Sequence, residues 1–260
     1  MTDTKTAVVT GSSSGIGLGI ATGFAASGMN IVMNGIEKPE EVEDARVELE
    51  KAHGIKAIYR PANMMKPEGC QELIDAAHET FGAVDVLVNN AGIQFVSPIE
   101  EFPNGKWQAI IDLNLSAAFY TTKAVIPGMK SRKWGRIINI ASAHGLVASP
   151  FKSAYVAAKH GIIGLTKTVA LEVAEHGITA NSICPGYVWT PLVEKQIPDT
   201  AKARGLTEEQ VKRDVLLAAQ PTKQFATVQE MSDLAVFLCS DGAKSITGTA
   251  LPVDGGWTAH

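Results

Sequence analysis

Short runs rich in β-branched residues alternate with longer amphipathic stretches along the whole 260-residue chain. Runs of this kind are typical of buried strands, and the stretches between them have the apolar spacing of helices. Strands that alternate with helices form parallel sheets covered on both faces. The sequence therefore predicts an α/β fold with a doubly wound parallel sheet of about seven strands. The predicted strands are Ala7–Thr10, Ile31–Asn34, Ala57–Arg60, Val84–Val88, Arg136–Ile140, Thr179–Cys184 and Ala250–Val253.

Six amphipathic stretches are predicted to be the main helices. No linker, internal repeat or low-complexity segment separates them, so we expect residues 1–260 to form a single domain. The predicted helices are Gly15–Ala26, Glu40–Ala52, Glu68–Phe81, Trp107–Lys130, Ala154–Glu175 and Val228–Ser240.

The stretch Thr190–Thr227 departs from this alternation. It is charged and helix-prone, and Pro191, Pro198 and Pro221 interrupt it. Excursions of this length often form lids over binding sites. We expect a helical substrate lid at about residues 190–227, with a plain pair of surface helices as the alternative.

The composition argues against several classes of function. A net charge of −4 offers no basic surface for nucleic acid or an anionic membrane. No apolar run approaches the roughly 20 residues that span a bilayer, and the first residues are polar. Cys70, Cys184 and Cys239 lie far apart without metal-ligand spacing, which predicts reduced thiols and no metal site. We expect a cytoplasmic protein.

A glycine-rich loop follows the first predicted strand and opens the first predicted helix. The segment reads Thr10-Gly11-Ser12-Ser13-Ser14-Gly15-Ile16-Gly17. Glycines at such a turn allow the backbone to approach a pyrophosphate, which binds at the helix N-terminus. Three glycines in a turn are weak evidence by themselves. Their position between the first strand and the first helix, however, favours a dinucleotide-binding site.

A second turn motif, Asn89-Asn90-Ala91-Gly92, follows the fourth predicted strand. The strand order of a doubly wound sheet reverses near this point, and dinucleotides bind in the crevice at the reversal. An ordinary turn is the simpler interpretation of the motif alone. Together with the glycine loop, it indicates the other side of the same crevice.

Tyr155 and Lys159 are four residues apart in a predicted helix, so their side chains share one face. An ammonium group about 4 Å from the phenol would lower its pKa toward neutral pH, where a general acid/base works best. Ser142 and Asn114, upstream, add two polar groups. Each of these residues has a plain structural interpretation, so their combination carries the prediction.

These segments, in this order and spacing, resemble the motifs of the short-chain dehydrogenase/reductase family. The resemblance extends over essentially the whole chain, through Pro185-Gly186 to Val253-Asp254-Gly255-Gly256. It implies a Rossmann-type NAD-binding catalytic domain, a nicotinamide cofactor and a homotetramer.

The family resemblance also implies individual roles. Tyr155 is the general acid/base, Lys159 lowers its pKa and binds the nicotinamide ribose, and Ser142 holds the substrate oxygen. Asn114 positions a water in a proton relay through Lys159. The implied cofactor-binding residues are Gly11, Ser13, Gly15, Ile16, Gly17, Ile36, Asn63, Met64, Asn90, Ala91, Gly92, Tyr155, Lys159, Pro185, Gly186 and Val188.

The residues after the second strand favour NAD over NADP. NADP requires a cation for its 2′-phosphate, whereas NAD commonly uses an acid on the ribose 2′-hydroxyl. No Arg or Lys stands in Asn34-Gly35-Ile36-Glu37 or among Ser12, Ser13 and Ser14. The acid that many relatives carry at position 36 is replaced by Ile36. At Asn63 many relatives carry Asp toward the adenine amino group.

Four hydrogen-bond donors that can face one pocket predict a carboxylate site: Gln94, His144, Lys152 and Gln196. Each also has a plain interpretation, as a solvated lysine, a histidine with its hydrogen bonds satisfied, or surface glutamines. The segments that carry these residues resemble the branch of the family that acts on 3-hydroxybutyrate, which implies oxidation of the (R) acid to the 3-keto acid acetoacetate with NAD. The implied substrate-binding residues are Gln94, Ser142, His144, Lys152, Tyr155, Tyr187, Gln196 and Trp257.

Other functions stay open at this point. A sugar dehydrogenase or a 3-oxoacyl-carrier-protein reductase would keep the same fold, although NADP-type cations and a basic docking patch are missing. A non-catalytic NAD-binding protein is a further alternative. It is disfavoured because all four residues with implied catalytic roles are present: Asn114, Ser142, Tyr155 and Lys159.

Overall fold

The computed structural model describes residues 4–259, and all seven strands lie in one parallel sheet. Every predicted strand is confirmed to within two residues at each end. The strands are Thr6–Val9 (β1), Asn30–Gly35 (β2), Ala57–Pro61 (β3), Val86–Asn89 (β4), Gly135–Ile140 (β5), Ile178–Pro185 (β6) and Ala250–Val253 (β7).

The sheet order is β3-β2-β1-β4-β5-β6-β7, with every neighbouring pair parallel. The chain runs outward from β1 to β3, returns to place β4 on the other side of β1, and continues outward to β7. A doubly wound sheet results, as predicted. The carboxyl ends of β1 and β4 flank the point of reversal, where such sheets form a binding crevice.

Helices cover both faces of the sheet. The main helices are Gly15–Ala26 (α1), Pro39–His53 (α2), Pro67–Phe81 (α3), Asn104–Ile111 (α4), Ala117–Arg132 (α5), Ser153–Val173 (α6), Pro191–Arg204 (α7), Glu208–Gln210 (α8) and Val228–Cys239 (α9).

Alternate residues of each strand face opposite sides of the sheet and enter separate cores. On β1, Ala7 and Val9 join the core beneath α1, α2 and α9, whereas Val8 joins the core beneath α3, α5 and α6. Both cores are built from fully buried side chains. This continuous burial on two faces is the property that the apolar runs of the sequence predicted.

The prediction of one continuous helix over Trp107–Lys130 is wrong. The structure starts this region at Asn104 and interrupts it with a π-helical turn at Asp112–Ser116, which joins α4 to α5. The turn holds Asn114, a buried polar residue whose side chain bonds the backbone of Ile93. A π-helical turn accommodates one extra residue, and apolar periodicity does not register it.

A chain of buried hydrogen bonds ties α6 to the strands beneath it. Asn89 of β4 donates to Asn139 of β5 at 2.8 Å, and Asn139 donates to Thr166 of α6 at 2.8 Å. The Thr166 hydroxyl then lies 2.7 Å from the hydroxyl of Ser182 on β6. Because buried polar groups must find partners, these bonds fix the position of α6 over the sheet.

The stretch predicted as a lid is mostly helical as far as Leu216, and residues 217–227 form turns. It comprises α7, the short α8 and a π-helical turn at Val211–Leu216 before α9 begins. Among residues 4–259, no helix combines the length and apolar composition needed to cross a bilayer.

Candidate active site

A long cleft lies along the carboxyl edge of the sheet. Two adjoining cavities, of about 600 and 470 Å³, form it and share lining residues that include Ile16, Asn90 and Gly92. One half is built from the glycine loop and the ends of β2 and β3. The other half is built from the ends of β5 and β6 and the first turns of α6 and α7.

The first half brings together the cofactor-binding residues predicted from the ends of the first four strands. Those that line its cavity are Gly11, Ser13, Gly15, Ile16, Ile36, Asn63, Met64, Asn90, Ala91 and Gly92. Gly17 lies beneath the loop instead, where a Cβ atom would collide with the Gly11 carbonyl oxygen. Its role is therefore to let α1 approach the loop closely.

The two predicted turn motifs are bonded to each other. The Asn90 side-chain amide donates to the carbonyl oxygens of Thr10 and Gly11 at 2.9 and 2.8 Å. The Thr10 hydroxyl accepts from the backbone N–H groups of Asn90 and Ala91. These four bonds hold the glycine loop against the end of β4 in a fixed shape.

A carboxylate that the sequence analysis did not assign to the site also lines this half. Glu37 accepts hydrogen bonds from the Ser13 hydroxyl and the Ile36 backbone N–H, both at 2.9 Å. Burial raises its pKa, but bonds from its own backbone, Ser13, Ile36 and Tyr59 outweigh burial and lower the pKa overall. Tyr59 donates to the Glu37 carbonyl oxygen at 2.9 Å. An ionised carboxylate therefore faces the start of the glycine loop.

The second half contains the predicted reactive groups. Ser142 follows β5 and caps a short 3₁₀ turn, its hydroxyl accepting from the His144 backbone N–H at 3.1 Å. Tyr155 and Lys159 project from the first two turns of α6 into the same cavity. The Lys159 ammonium is buried, lies 5.6 Å from the centre of the Tyr155 ring, and donates to the Ile140 carbonyl oxygen at 2.7 Å.

In the protein chain alone, burial outweighs the other influences on the Tyr155 phenol, and the lowering of its pKa by Lys159 stays a prediction. Burial raises the pKa of Tyr155, the neighbouring Ser142 hydroxyl partly offsets this, and the Tyr187 phenol adds to the increase. The Lys159 ammonium points to the Ile140 carbonyl rather than to the phenol oxygen, and burial lowers its own pKa to about 8. Desolvation therefore dominates over the ammonium at this site.

Asn114 lies apart from the main cleft. Its side chain accepts from the Ile93 N–H at 2.9 Å and donates to the Ile93 carbonyl at 3.0 Å. A separate cavity of about 10 Å³ lies between Asn114 and Lys159, with Thr10, Asn89 and Ala91 in its wall. A space of this size and polarity suits one water molecule.

The predicted substrate-binding residues fall into two groups. Gln94, Tyr187 and Gln196 line the main cavity together with Ser142 and Tyr155. His144, Lys152 and Trp257 pack beside it rather than forming its wall. The Trp257 ring meets the His144 ring edge-on at 4.8 Å between centres and stacks on Tyr187 at 6.1 Å, so it reaches the site of its own chain.

The electrostatics beside the cavity favour an anion. Burial lowers the pKa of Lys152, and burial together with the Lys152 ammonium lowers the pKa of His144 to about 4. His144 Nε2 lies 2.8 Å from the Ser149 hydroxyl. Within residues 4–259, no carboxylate forms an ion pair with Lys152. A half-buried cation without a counter-ion would be stabilised by a bound carboxylate.

Residues at the start of α7 complete the cleft; they lie within the predicted lid, although the sequence analysis named only Gln196 of this helix as a binding residue. Thr190 caps α7 and lines both halves with Leu192, while Val193 faces the second half. The signal for this helix start was present, since a capping Thr precedes Pro191. Leu113, in the π-helical turn, lines the first half without any sequence signal.

Comparison with known families and relatives agrees with this geometry. The chain matches the family model described as short chain dehydrogenase over residues 5–201. It is 59% identical to a D-beta-hydroxybutyrate dehydrogenase of Rhizobium meliloti over 257 residues, which cover 99% of this chain and 100% of the relative. It is 52% identical to the D-beta-hydroxybutyrate dehydrogenase of Cupriavidus necator, with 100% of both chains covered.

A solved structure gives the same result for the fold. L-sorbose reductase from Gluconobacter frateurii, crystallised with NADPH and L-sorbose, superposes with a TM-score of 0.94 and 34% identity. The match covers 99% of this chain and 98% of the reductase. A nicotinamide dinucleotide is therefore the cofactor class that this fold carries.

The depressed pKa of His144 predicts a loss of stability in acid. The unfolded chain binds a proton at His144 near pH 6.5, whereas the folded chain does so only near pH 4, so stability falls as the pH decreases between these values. Between pH 7.5 and pH 5 this one group should account for about 2 kcal/mol. Urea unfolding at both pH values should show that His144→Gln loses about that much less stability than the wild type.

The control is His53→Gln at the C-terminal end of α2, which removes an imidazole outside the cleft. An equal pH-dependent loss in the wild type and in His144→Gln would contradict a depressed pKa at His144.

Proposed function

Because the chain belongs to the short-chain dehydrogenase/reductase family, we propose that it reversibly oxidises (R)-3-hydroxybutyrate to acetoacetate with NAD. The half-buried Lys152, which lies close enough to His144 to lower its pKa and pairs with no carboxylate of residues 4–259, is the observation that carries the substrate assignment. The names of the two full-length relatives at 59% and 52% identity support it.

The chain's own residues fit a dinucleotide. The glycine loop at the N-terminus of α1 is suited to the pyrophosphate, and Asn63 and Met64 to the adenine. Lys159, Pro185, Gly186 and Val188 line the half that would take the nicotinamide ribose and ring. When bound, the oxidised nicotinamide supplies the hydride acceptor and a positive charge.

The proton chemistry belongs to the protein. Ser142 and Tyr155 hold the substrate oxygen, and Tyr155 takes the hydroxyl proton during oxidation and returns it during reduction. Since burial raises the pKa of Tyr155 in the chain alone, the phenol requires added positive charge to act as a base near neutral pH. Lys159 and Asn114 would provide an exit path for the proton through a water that the small cavity between them could hold.

The carboxylate of the substrate would be held by donors on three segments. Lys152 supplies the charge, Gln94 and Gln196 supply side-chain amides, and neutral His144 supplies an imidazole held by Ser149. Tyr187 and Trp257 bound the pocket with stacked rings. The first turn of α7, which carries Leu192 and leads to Gln196, would act as the lid.

Glu37 supports NAD rather than NADP. Its carboxylate, fixed by Ser13, Ile36 and Tyr59, stands where it can accept from the adenosine ribose. A 2′-phosphate at the same place would meet a negative charge, and among residues 4–259 no Arg or Lys lines this half of the cleft to balance it. The acid thus occupies position 37 here, while the Ile36 side chain is 86% exposed.

Replacing Glu37 should change the cofactor preference. Glu37→Gln removes the negative charge, so we expect KM for NAD to rise and the preference for NAD over NADP to fall by about tenfold in kcat/KM. Steady-state rates with each cofactor measure this ratio. Glu40→Gln, an exposed acid three residues later, is the matched control and should leave the ratio unchanged. An unaltered ratio in Glu37→Gln would remove Glu37 from cofactor selection.

We further propose a cytoplasmic homotetramer. Phe119 on α5 and Leu171 on α6 are 47% and 82% exposed, as expected of residues that other subunits cover. Cys70, Cys184 and Cys239 are free thiols, which suits a reducing compartment. Light scattering should give four times the 27.5 kDa chain mass, and a monomer would contradict the assembly.

The direct test of the function is NADH formation by the purified protein. With NAD, (R)-3-hydroxybutyrate should be oxidised rapidly, while the (S) enantiomer and the combination with NADP should react slowly. Activity with sugars but not with the (R) acid would overturn the substrate assignment. NADH binding without oxidation of any alcohol would favour a non-catalytic dinucleotide-binding protein.

A further inference from the structure

Phe151 has a backbone conformation that is unusual for its residue type. Its φ is +66°, in the left-handed region that bulky residues rarely adopt. Within residues 4–259, two other non-glycine residues have positive φ. Lys133 ends α5, where a left-handed residue is ordinary, and the Lys223 ammonium bonds two nearby carbonyl groups.

Neither helix termination nor ring burial explains Phe151. The residue precedes the start of α6 rather than following a helix, and its ring is 55% exposed. Phe151 follows Pro150 in a turn, a place where glycine usually supplies a positive φ. The hydrogen bond that its backbone makes offsets part of the strain of a phenylalanine there.

The Phe151 backbone joins two loops of the substrate half. Its carbonyl oxygen accepts from the Ser97 N–H at 2.9 Å, and Ser97 lies three residues after Gln94. On the other side, Phe151 directly precedes Lys152, whose carbonyl accepts from the Val156 N–H to begin α6. One left-handed residue thus connects the segment that carries Gln94 to the segment that carries Lys152.

The same loop is anchored a second time toward the site. Two residues before Phe151, the Ser149 hydroxyl lies 2.8 Å from His144 Nε2. The segment Ser149–Lys152 is therefore bonded to His144 through Ser149 and to Ser97 through Phe151. Lys152 directly follows the left-handed residue. An extended or helical φ at position 151 would redirect either the carbonyl or the Lys152 side chain.

We propose that Phe151 is a positioning residue for carboxylate binding, whose left-handed backbone holds Lys152 near His144 beside the pocket and ties it to the loop that carries Gln94. The inference rests on the proposed function, because it assigns Lys152 and Gln94 to the substrate carboxylate. It concerns the backbone of residue 151, so the aromatic ring is dispensable.

Three variants separate backbone from ring. Phe151→Asn keeps access to the left-handed region, so KM for (R)-3-hydroxybutyrate should stay within about twofold of the wild type. Phe151→Val, which is β-branched, should raise that KM by about tenfold, with kcat and KM for NAD nearly unchanged. Ser97→Pro removes the N–H donor of the same bond and should raise KM in the same direction, which keeps the test open if Phe151→Val does not fold.

Lys133→Val is the matched control, since it places valine at an exposed left-handed position at the end of α5. It should lower the melting temperature without changing KM. Wild-type KM in both Phe151→Val and Ser97→Pro would overturn the inference. So would an equal rise in KM in Phe151→Asn and Phe151→Val, because the ring would then be responsible.

Hydrogen exchange of the Ser97 amide gives a readout independent of turnover. Its exchange should be slow in the wild type and Phe151→Asn and faster in Phe151→Val. If the wild type does not oxidise (R)-3-hydroxybutyrate, the proposed function fails, and this exchange comparison alone decides whether residue 151 holds the two loops together. Equal exchange in all three proteins would then contradict it.

Discussion

The parallel pairing of β1 with β4 is the constraint on which the rest of the structure depends. Val8 of β1 is in register with Leu87 of β4, so the two strands end side by side at the point where the sheet order reverses. The glycine loop leaves one strand end and the Asn89–Gly92 turn leaves the other. Hydrogen bonds between Asn90 and that loop convert the two ends into one rigid half of the cleft.

The second half of the cleft depends on the same pairing, continued through β5 and β6. Ser142 follows β5 and Tyr187 follows β6, while α6 is fixed above them by Asn139 and Thr166. Lys159 adds a bond from α6 to the end of β5. The reactive side chains therefore sit on, or directly after, buried elements that hydrogen bonds tie to one another, which suits chemistry that requires fixed distances. The proposed carboxylate donors and α7 lie on connecting segments instead, where ligand contacts can adjust.

The sequence predicted most of this architecture because the strands are buried on both faces. Their short apolar runs, as at Ala7–Val9 of β1, are bounded by turn motifs that fall at strand ends. The break at Asn114 escaped prediction because a π-helical turn leaves the apolar pattern of α4 and α5 nearly intact. Glu37 escaped because its role depends on the side chain folding back to Ser13, which residue spacing does not encode.

The electrostatics of Tyr155 were the least predictable part of the site. A spacing of four residues placed Lys159 on the correct face of α6, but the direction of its ammonium was set by the Ile140 carbonyl. The loss of hydration around the phenol then raised its pKa. Spacing reports which groups are neighbours, whereas the pKa depends on burial and on which atoms receive the hydrogen bonds.

The most direct test of the account is the turnover of Tyr155→Phe compared with Tyr120→Phe, a half-buried tyrosine of α5 outside the cleft. Since an acid/base group contributes about 10²- to 10⁴-fold, kcat for (R)-3-hydroxybutyrate should fall by at least about a hundredfold in Tyr155→Phe. NADH binding should be retained, and Tyr120→Phe should keep wild-type turnover. Near-wild-type turnover in Tyr155→Phe would contradict the assignment of the proton transfer to this phenol.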